Sequence, residues 1–274
     1  MKNVKRRIKI VAVLMFVSII CGPAWAKNIS IKGSTTVLPI AQTVAEAYMA
    51  ENPDISISIS GGGSGNGIKA IIDGTTDIAD SSRFIKGKEI KLAMEKGRYP
   101  VPFSVAYDCI VPVLHPTNTV ENLTTDQLKA IYKGEIKNWK KVGGPDRRIV
   151  VVSRDTSSGT YEVWAKKVMK KERVFPGALL QASNGAVLQT VASNKNAVGY
   201  IGLGYMNKSV KPITVNNVKG TSATTLNGTY SVGRPLYMFT NNWPEGEIAK
   251  FINYILHPDK GQKLISEIGF VPLY

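Results

Sequence analysis

The sequence predicts an α/β protein whose functional groups gather where strands hand over to helices. Three strand–turn–helix patterns follow one another between Asn28 and Lys96, and a fourth recurs around Arg154. Each of these turns is rich in hydroxyls or glycines. In open α/β sheets such turns collect at the carboxyl ends of the strands, where ligands bind.

Residues 1–26 read as a segment outside the fold. Lys2, Lys5, Arg6, Arg7 and Lys9 form a basic start, Ile10 to Cys21 is an apolar run, and Ala24-Trp25-Ala26 matches a small-x-small cleavage site. The run is shorter than the roughly 20 residues that span a bilayer. Cys21 is preceded by the bulky Ile20, which argues against a lipid anchor there. The expectation is export and cleavage after Ala26, leaving 248 of the 274 residues and lowering the formal net charge from +15 by five, to +10. Cys109 is then the sole cysteine, so no internal disulfide is expected.

In order, Asn28 to Lys32 alternates polar and apolar as a first strand. Gly33-Ser34-Thr35-Thr36 is a turn, and Pro39 suits the first turn of a helix carrying Ile40, Val44, Ala47 and Tyr48. Ile55 to Ser60 alternates strictly, then runs into the glycine-rich Gly61 to Gly67, after which Ile68, Ile71 and Ile72 mark a helix. Asp77 to Arg83 is a short strand with a polar end, followed by a Lys-rich helix around Glu89 to Lys96.

Val105 to His115 reads as a strand holding Asp108, and Thr124 or Thr125 caps a short helix. Ile149 to Val152 is a β-branched run leading into Arg154-Asp155-Thr156-Ser157-Ser158-Gly159-Thr160, with the helical face of Trp164, Ala165, Val168 and Met169 behind it. Here a cation, hydroxyls and free backbone N–H groups meet the positive end of a helix dipole, which suits an oxyanion. Ala197 to Gly202 is a strand, Thr221 to Gly233 a polar loop or hinge, and Leu236 to Thr240 a strand. Ile248 to Ile255 and Gly261 to Ile268 are closing helices.

Several chemistries are excluded. Ile68 separates Gly67 from Lys69, so the glycine loop is not a P-loop, and its glycines miss the dinucleotide spacing. Ser64 and Ser158 lack the flanking glycines of a nucleophile elbow. His115 and His257 each precede a proline and read as exposed turn residues, too few and too isolated for a metal centre. Asp77 and Asp80 read as turn or hydrogen-bonding groups rather than an acid/base pair. The Lys and Arg residues are scattered, with clusters at 166–173 and 86–91 that read as solvated helix faces; no nucleic-acid partner is expected, and the field favours small anions. The pattern argues for binding, with no cofactor and no metal.

These residues resemble the periplasmic phosphate-binding proteins of phosphate ABC transporters. The likeness rests on Gly33-Ser34-Thr35-Thr36 with Pro39, Gly61-Gly62-Gly63-Ser64-Gly65, Asp77-Ile78 with Ser81-Ser82-Arg83, Arg154 with Ser158-Gly159-Thr160, and Ala197-Val198-Gly199-Tyr200. It implies a two-lobed periplasmic-binding-protein fold of type II, each lobe a mixed sheet flanked by helices, joined by a two-crossing hinge. Lobe I would comprise residues 27–107 and 234–274, and lobe II residues 108–233. The resemblance assigns phosphate contacts to Ser34, Thr35, Thr36, Ser64, Arg154, Ser158, Gly159 and Thr160. It further implies a monomer in the periplasm that delivers inorganic phosphate to a membrane-embedded permease.

The residues suit those roles. Hydrogen bonds to a charged group contribute about 1.5–3 kcal/mol each, whereas a micromolar dissociation constant requires about 8 kcal/mol. Ten contacts therefore leave a surplus for dehydrating the anion and closing the lobes. Many members carry an aspartate that accepts the proton of phosphate, which sulfate lacks; here Ser82 stands there, followed by Arg83. Ser82 and Arg83 are accordingly included in the site, with Arg83 expected to touch the anion and Asp80 or Asp108 candidates for the acceptor. The competing readings are a receptor for another tetrahedral oxyanion such as sulfate or tungstate, a phosphate-ester hydrolase, and a phosphate sensor that feeds no transporter.

Overall fold

The computed structural model describes residues 27–274, so the export segment and Cys21 lie outside the described residues. The chain opens with β1 (Lys27–Gly33), α1 (Leu38–Glu51), β2 (Ile55–Ser60), α2 (Ser64–Asp73), β3 (Ile78–Ser81) and α3 (Gly87–Glu95), the three expected strand–turn–helix units. β1 lies between β2 and β3 and is parallel to both. Gly33 ends β1 with φ +143°, and a Cβ there would fall 2.1 Å from the Asp80 carbonyl oxygen. Only glycine lets the first turn sit this tightly against β3.

β4 (Pro100–Leu114) follows, then the short β5 (Asn122–Leu123) and α4 (Thr125–Tyr132), whose cap is Thr124 in a capping box with Gln127. Next come β6 (Val150–Arg154), α5 (Gly159–Lys167), β7 (Leu179–Gln181), α6 (Asn184–Ser193) and β8 (Ala197–Gly202). The chain finishes with β9 (Lys211–Pro212), β10 (Thr214–Val215), α7 (Ser222–Leu226), β11 (Gly233–Asn241), α8 (Gly246–Leu256) and α9 (Lys263–Glu267).

The main sheet runs in the order β2-β1-β3-β11-β4-β8-β6-β7. β11 is antiparallel to both neighbours, so the sheet is mixed. β4 serves both ends of it: residues from Pro100 to Cys109 pair with β11, and those from Ile110 to Leu114 pair with β8. The cores divide about the same strand. One cluster packs Ile31, Val44, Ile78, Val105, Leu236 and Phe251 under α1 and α8. A second buries Ile68, Ile71, Ala79 and Phe239 beneath α2. Beyond β4, Tyr132, Trp164 and Tyr200 fill one cluster, and Val152, Val187, Val191 and Ile201 fill another. Val151 and Val152 point into different clusters, which is why β6 reads as an unbroken apolar run rather than an alternation.

The structure departs from expectation at several elements. Residues 179–193, unassigned by pattern, form β7 and α6. The polar stretch after Thr221 contains α7, opened by Thr221, whose side chain accepts from the Thr224 N–H. The basic cluster does not share one helix: α5 stops at Lys167, and Lys170 and Lys171 take φ values of +51° and +69° in the connection beyond it. α2 begins at Ser64, inside the glycine-rich loop rather than after it.

Candidate anion site between two sets of helix N-termini

The site starts from Arg154. Its strand β6 is buried, its backbone N–H donates to the Tyr200 hydroxyl at 3.2 Å, and Tyr200 stacks on Trp164 of α5 with ring centroids 4.3 Å apart. The guanidinium is held on one side only. Nε donates to the Gln181 carbonyl at 3.0 Å and Nη2 to the Ala182 carbonyl at 2.9 Å, while Nη1 is buried without a protein partner. Burial pulls the Arg154 pKa down, opposed by Asp155 and reinforced by the charge of Arg234. Asp155 caps its own turn, accepting from the Ser157 N–H and hydroxyl.

Helix starts from both ends of the sheet carry the hydroxyls of the expected site. Ser34 Oγ accepts from the N–H groups of Thr36 and Val37, at 3.1 and 3.4 Å, ahead of α1. Ser158 caps α5, accepting from the Tyr161 N–H at 3.2 Å. Ser64 opens α2, and its Oγ accepts from the Ser82 N–H at 3.0 Å and lies 3.2 Å from Ser82 Oγ. A hydroxyl that already accepts from a backbone N–H keeps its hydrogen free to donate. These serines are thus set as donors, as a tetrahedral oxyanion requires.

The two ends meet directly. Gly65 N–H donates to the Ser157 carbonyl at 2.9 Å, and the Thr36 and Thr160 hydroxyls are 2.9 Å apart. Gly159 slots between the serines: a Cβ there would lie 2.3 Å from Ser64 Oγ and 2.7 Å from Ser82 Oγ. The structure therefore brings Thr36 to Thr160 and Ser64 to Ser82 and Gly159, with Ser34 and Thr35 in the turn before Thr36, Ser158 in the turn before Gly159, and Arg154 ending the strand that leads into that turn.

Arg83 is turned elsewhere. Its Nη atoms donate to Glu89 at 2.8 and 2.7 Å, and its Nε lies 3.0 Å from Glu162 of α5. Lys86 reaches the other Glu162 oxygen at 2.6 Å. Two carboxylates balance its charge, with Nε buried and lacking a partner in hydrogen-bonding geometry, so it links α3 and α5 beside the site. Burial works against the Glu89 charge, but Arg83 and the Lys86 N–H hold its pKa below the usual carboxylate range.

Three contributors went unrecognised in the sequence. Arg234 on β11 donates from Nε and Nη2 to Asp108 Oδ2, at 3.1 and 2.8 Å, and from Nη1 to the Ser82 carbonyl at 3.2 Å. Its Nη2 also reaches Thr160 Oγ1 at 3.0 Å and Thr36 Oγ1 at 3.3 Å. Asn184, the first residue of α6, donates to Thr36 Oγ1 at 3.0 Å and to Thr35 Oγ1 at 3.4 Å. The Tyr205 hydroxyl donates to the Thr35 carbonyl. Asp108 is thereby spent: Oδ2 holds Arg234 and Oδ1 accepts from the Leu203 N–H at 2.8 Å. Burial pushes the Asp108 pKa up, with Arg234 pulling it down. Asp80 is the other candidate acceptor, buried with Oδ1 unpartnered.

Among the described residues no group of His, Cys, Asp and Glu could hold a metal ion. His115 and His257 cap their own turns, accepting from the Thr117 and Asp259 N–H groups.

A hinged receptor for a small anion is the class of protein that this sheet and these opposed helix starts define, and residues 22–259 match the PBP superfamily domain. The phosphate-binding protein PstS of Borreliella burgdorferi is 33% identical over 257 residues, covering 89% of this chain and 90% of its own. That of Bacillus subtilis is 29% identical over 247 residues, covering 90% and 81%. Among solved structures, a substrate-binding protein of Clostridium perfringens with bound phosphate superposes with a TM-score of 0.84 at 36% identity, covering 90% of this chain and 100% of that one. An ABC-type phosphate transport receptor from Vibrio cholerae gives 0.73 at 35%, covering 89% and 99%. The chain belongs to the PBP superfamily and, within it, to the family of PstS phosphate-binding proteins.

Proposed function

We propose that this protein captures inorganic phosphate between two lobes outside the cytoplasm and hands it, as a monomer, to an ABC permease. It is a binding protein and not an enzyme. The lobes are residues 27–107 with 234–274, and residues 108–233, and the chain passes between them along β4 and β11. Ser34, Thr35, Thr36, Ser64, Ser82, Arg154, Ser158, Gly159 and Thr160 form the phosphate site. Arg83 belongs beside it as a link between lobes.

The observation that carries the reading is the buried, unpartnered Nη1 of Arg154 on the strand that leads into the α5 start, where the Thr36 and Thr160 hydroxyls from the two lobes meet. Such a cluster is short of acceptors, and a phosphate dianion supplies them. Neutral donors and helix dipoles spread the stabilisation over all four oxygens, while Arg154 adds a charge-assisted contact. Closing on the anion is a hinge motion. The sequence features of residues 1–26 support an extracytoplasmic address, and the PstS relatives support the transport context.

Calorimetric titration with phosphate, arsenate, sulfate and tungstate tests the assignment. Phosphate is expected to bind tightest, at micromolar affinity or better, and Arg154→Lys, which loses the planar fork, to bind it at least about tenfold more weakly. Sulfate outcompeting phosphate would overturn the assignment.

A further inference from the structure

Two threonines from opposite lobes touch inside the site, and the groups around them leave one arrangement of their hydrogens. One Nη2 hydrogen of Arg234 goes to Asp108 and the other is shared by the two threonines, so Thr36 Oγ1 receives Asn184 Nδ2 at 3.0 Å and its share of the Arg234 hydrogen at 3.3 Å. Its own hydrogen then goes to Thr160 Oγ1, 2.9 Å away. Thr160 Oγ1 takes the nearer share of that Arg234 hydrogen at 3.0 Å and has no second donor of its own other than Thr36. The Thr160 hydrogen is the one left over. It belongs to the first turn of α5, beside Ser158 and Gly159.

The two outer groups are themselves fixed. Asn184 Oδ1 accepts from the Gly202 N–H at 3.3 Å, which sets which end of the amide faces Thr36. Arg234 is anchored by Asp108, its partner across the β4–β11 ladder. All four side chains are at least nine-tenths buried.

We propose that Arg234 and Asn184 are positioning residues that orient the Thr36–Thr160 hydroxyl pair, so that Thr160 can only donate to the bound anion. Thr160 thus selects an unprotonated oxygen at its corner of the ligand. Because the Thr36–Thr160 bond exists only when the lobes meet, this donor is completed by closure itself. The inference rests on the oxyanion-binding reading of the same site.

The test measures affinity for phosphate and sulfate in Asn184→Ala and Arg234→Lys, each also placed in a Thr36→Val background, with thermal midpoints recorded for all. Each single variant is expected to weaken binding of the preferred anion about tenfold, the size of one lost charge-assisted hydrogen bond. Once Thr36 is valine, Asn184→Ala is expected to have a much smaller effect, because its route to Thr160 is gone and only the 3.4 Å contact to Thr35 Oγ1 remains. A residue that only supported the fold would lower the midpoint and weaken binding equally in both backgrounds. If wild type binds phosphate tightly and neither single variant changes affinity, the relay is wrong while the phosphate assignment stands. If wild type prefers sulfate, the assignment falls and the relay is judged on sulfate with the same variants. If neither anion binds, both fall. Should Arg234→Lys fail to fold, the Asn184→Ala pair decides alone.

Discussion

Asp80 is the residue at which this protein holds a carboxylate in the least comfortable place. It lies within β3, is 1% exposed, and its Oδ1 finds no donor. Burial alone drives its pKa well above the ordinary value. A carboxyl raised in the folded state contributes stability that is fully present below its unfolded pKa of about 4 and is lost as pH rises through the folded pKa. Asp80→Asn is therefore expected to raise the thermal midpoint near pH 8 and to flatten its pH dependence above about pH 5. Each unit of raised pKa is worth about 1.4 kcal/mol, or roughly 2–4 °C for a chain of this size. A lower midpoint for the variant at pH 8 would show that the ionised carboxylate is stabilised by groups beyond those in contact here. Cys109 follows the same physics without consequence for the site: buried, with its thiol pushed up to about 12, it is inert structural filling.

At the scale of elements, the approach of α5 to α2 sets how tightly the site can close. Gly159→Ala would place a methyl 2.3 Å from Ser64 Oγ and 2.7 Å from Ser82 Oγ, both inside van der Waals contact. Alanine is otherwise welcome at a helix start, so the open form should be unharmed and the closed form strained. Strain of about 1–3 kcal/mol corresponds to a phosphate affinity lowered roughly 5- to 150-fold, with the thermal midpoint of the unliganded protein barely changed. Unaltered affinity, measured by calorimetry, would mean that the lobes do not come this close around the anion.

The same elements show what could be read in the chain beforehand. α1, α2 and the Arg154 turn were legible because Pro39, the glycine run and the β-branched strand each announce themselves within a few residues. α6 was not, because it opens on Asn184-Gly185, a dipeptide that reads as a turn. Val187 and Val191, one turn apart, were the available signal. Arg234 escaped for a different reason. It is the second residue of β11, and its meaning comes from lying opposite Asp108, 126 residues earlier in the chain. Local pattern cannot report a pairing across that distance. Arg83 erred in the other direction: next to a site residue in sequence, it is satisfied by Glu89 and Glu162 in space.

For the whole molecule, β4 matters most, since it completes the sheets of both lobes. Neither lobe can melt without stripping partners from the other, so a single cooperative unfolding transition is expected. Phosphate at a thousandfold excess over its dissociation constant should stabilise the folded state by about 4 kcal/mol and raise the midpoint by roughly 10 °C. Scanning calorimetry with and without phosphate checks both points. Two separated peaks, with only one moving on addition of ligand, would refute the coupling.

The place of β11 also governs when the chain can become a folded object. β11 lies between β3 and β4, yet residues 233–241 come near the end of the sequence, and α8 packs on α1 later still. The middle of the sheet must wait until almost the whole polypeptide has been made, because its central partner is among the last parts to emerge. Pairings this distant in sequence are slow to form. Until β11 emerges, β3 and the Pro100–Cys109 part of β4 lack the strand that joins them, so the sheet stays incomplete, a state in which a polypeptide can still be threaded across a membrane before it folds.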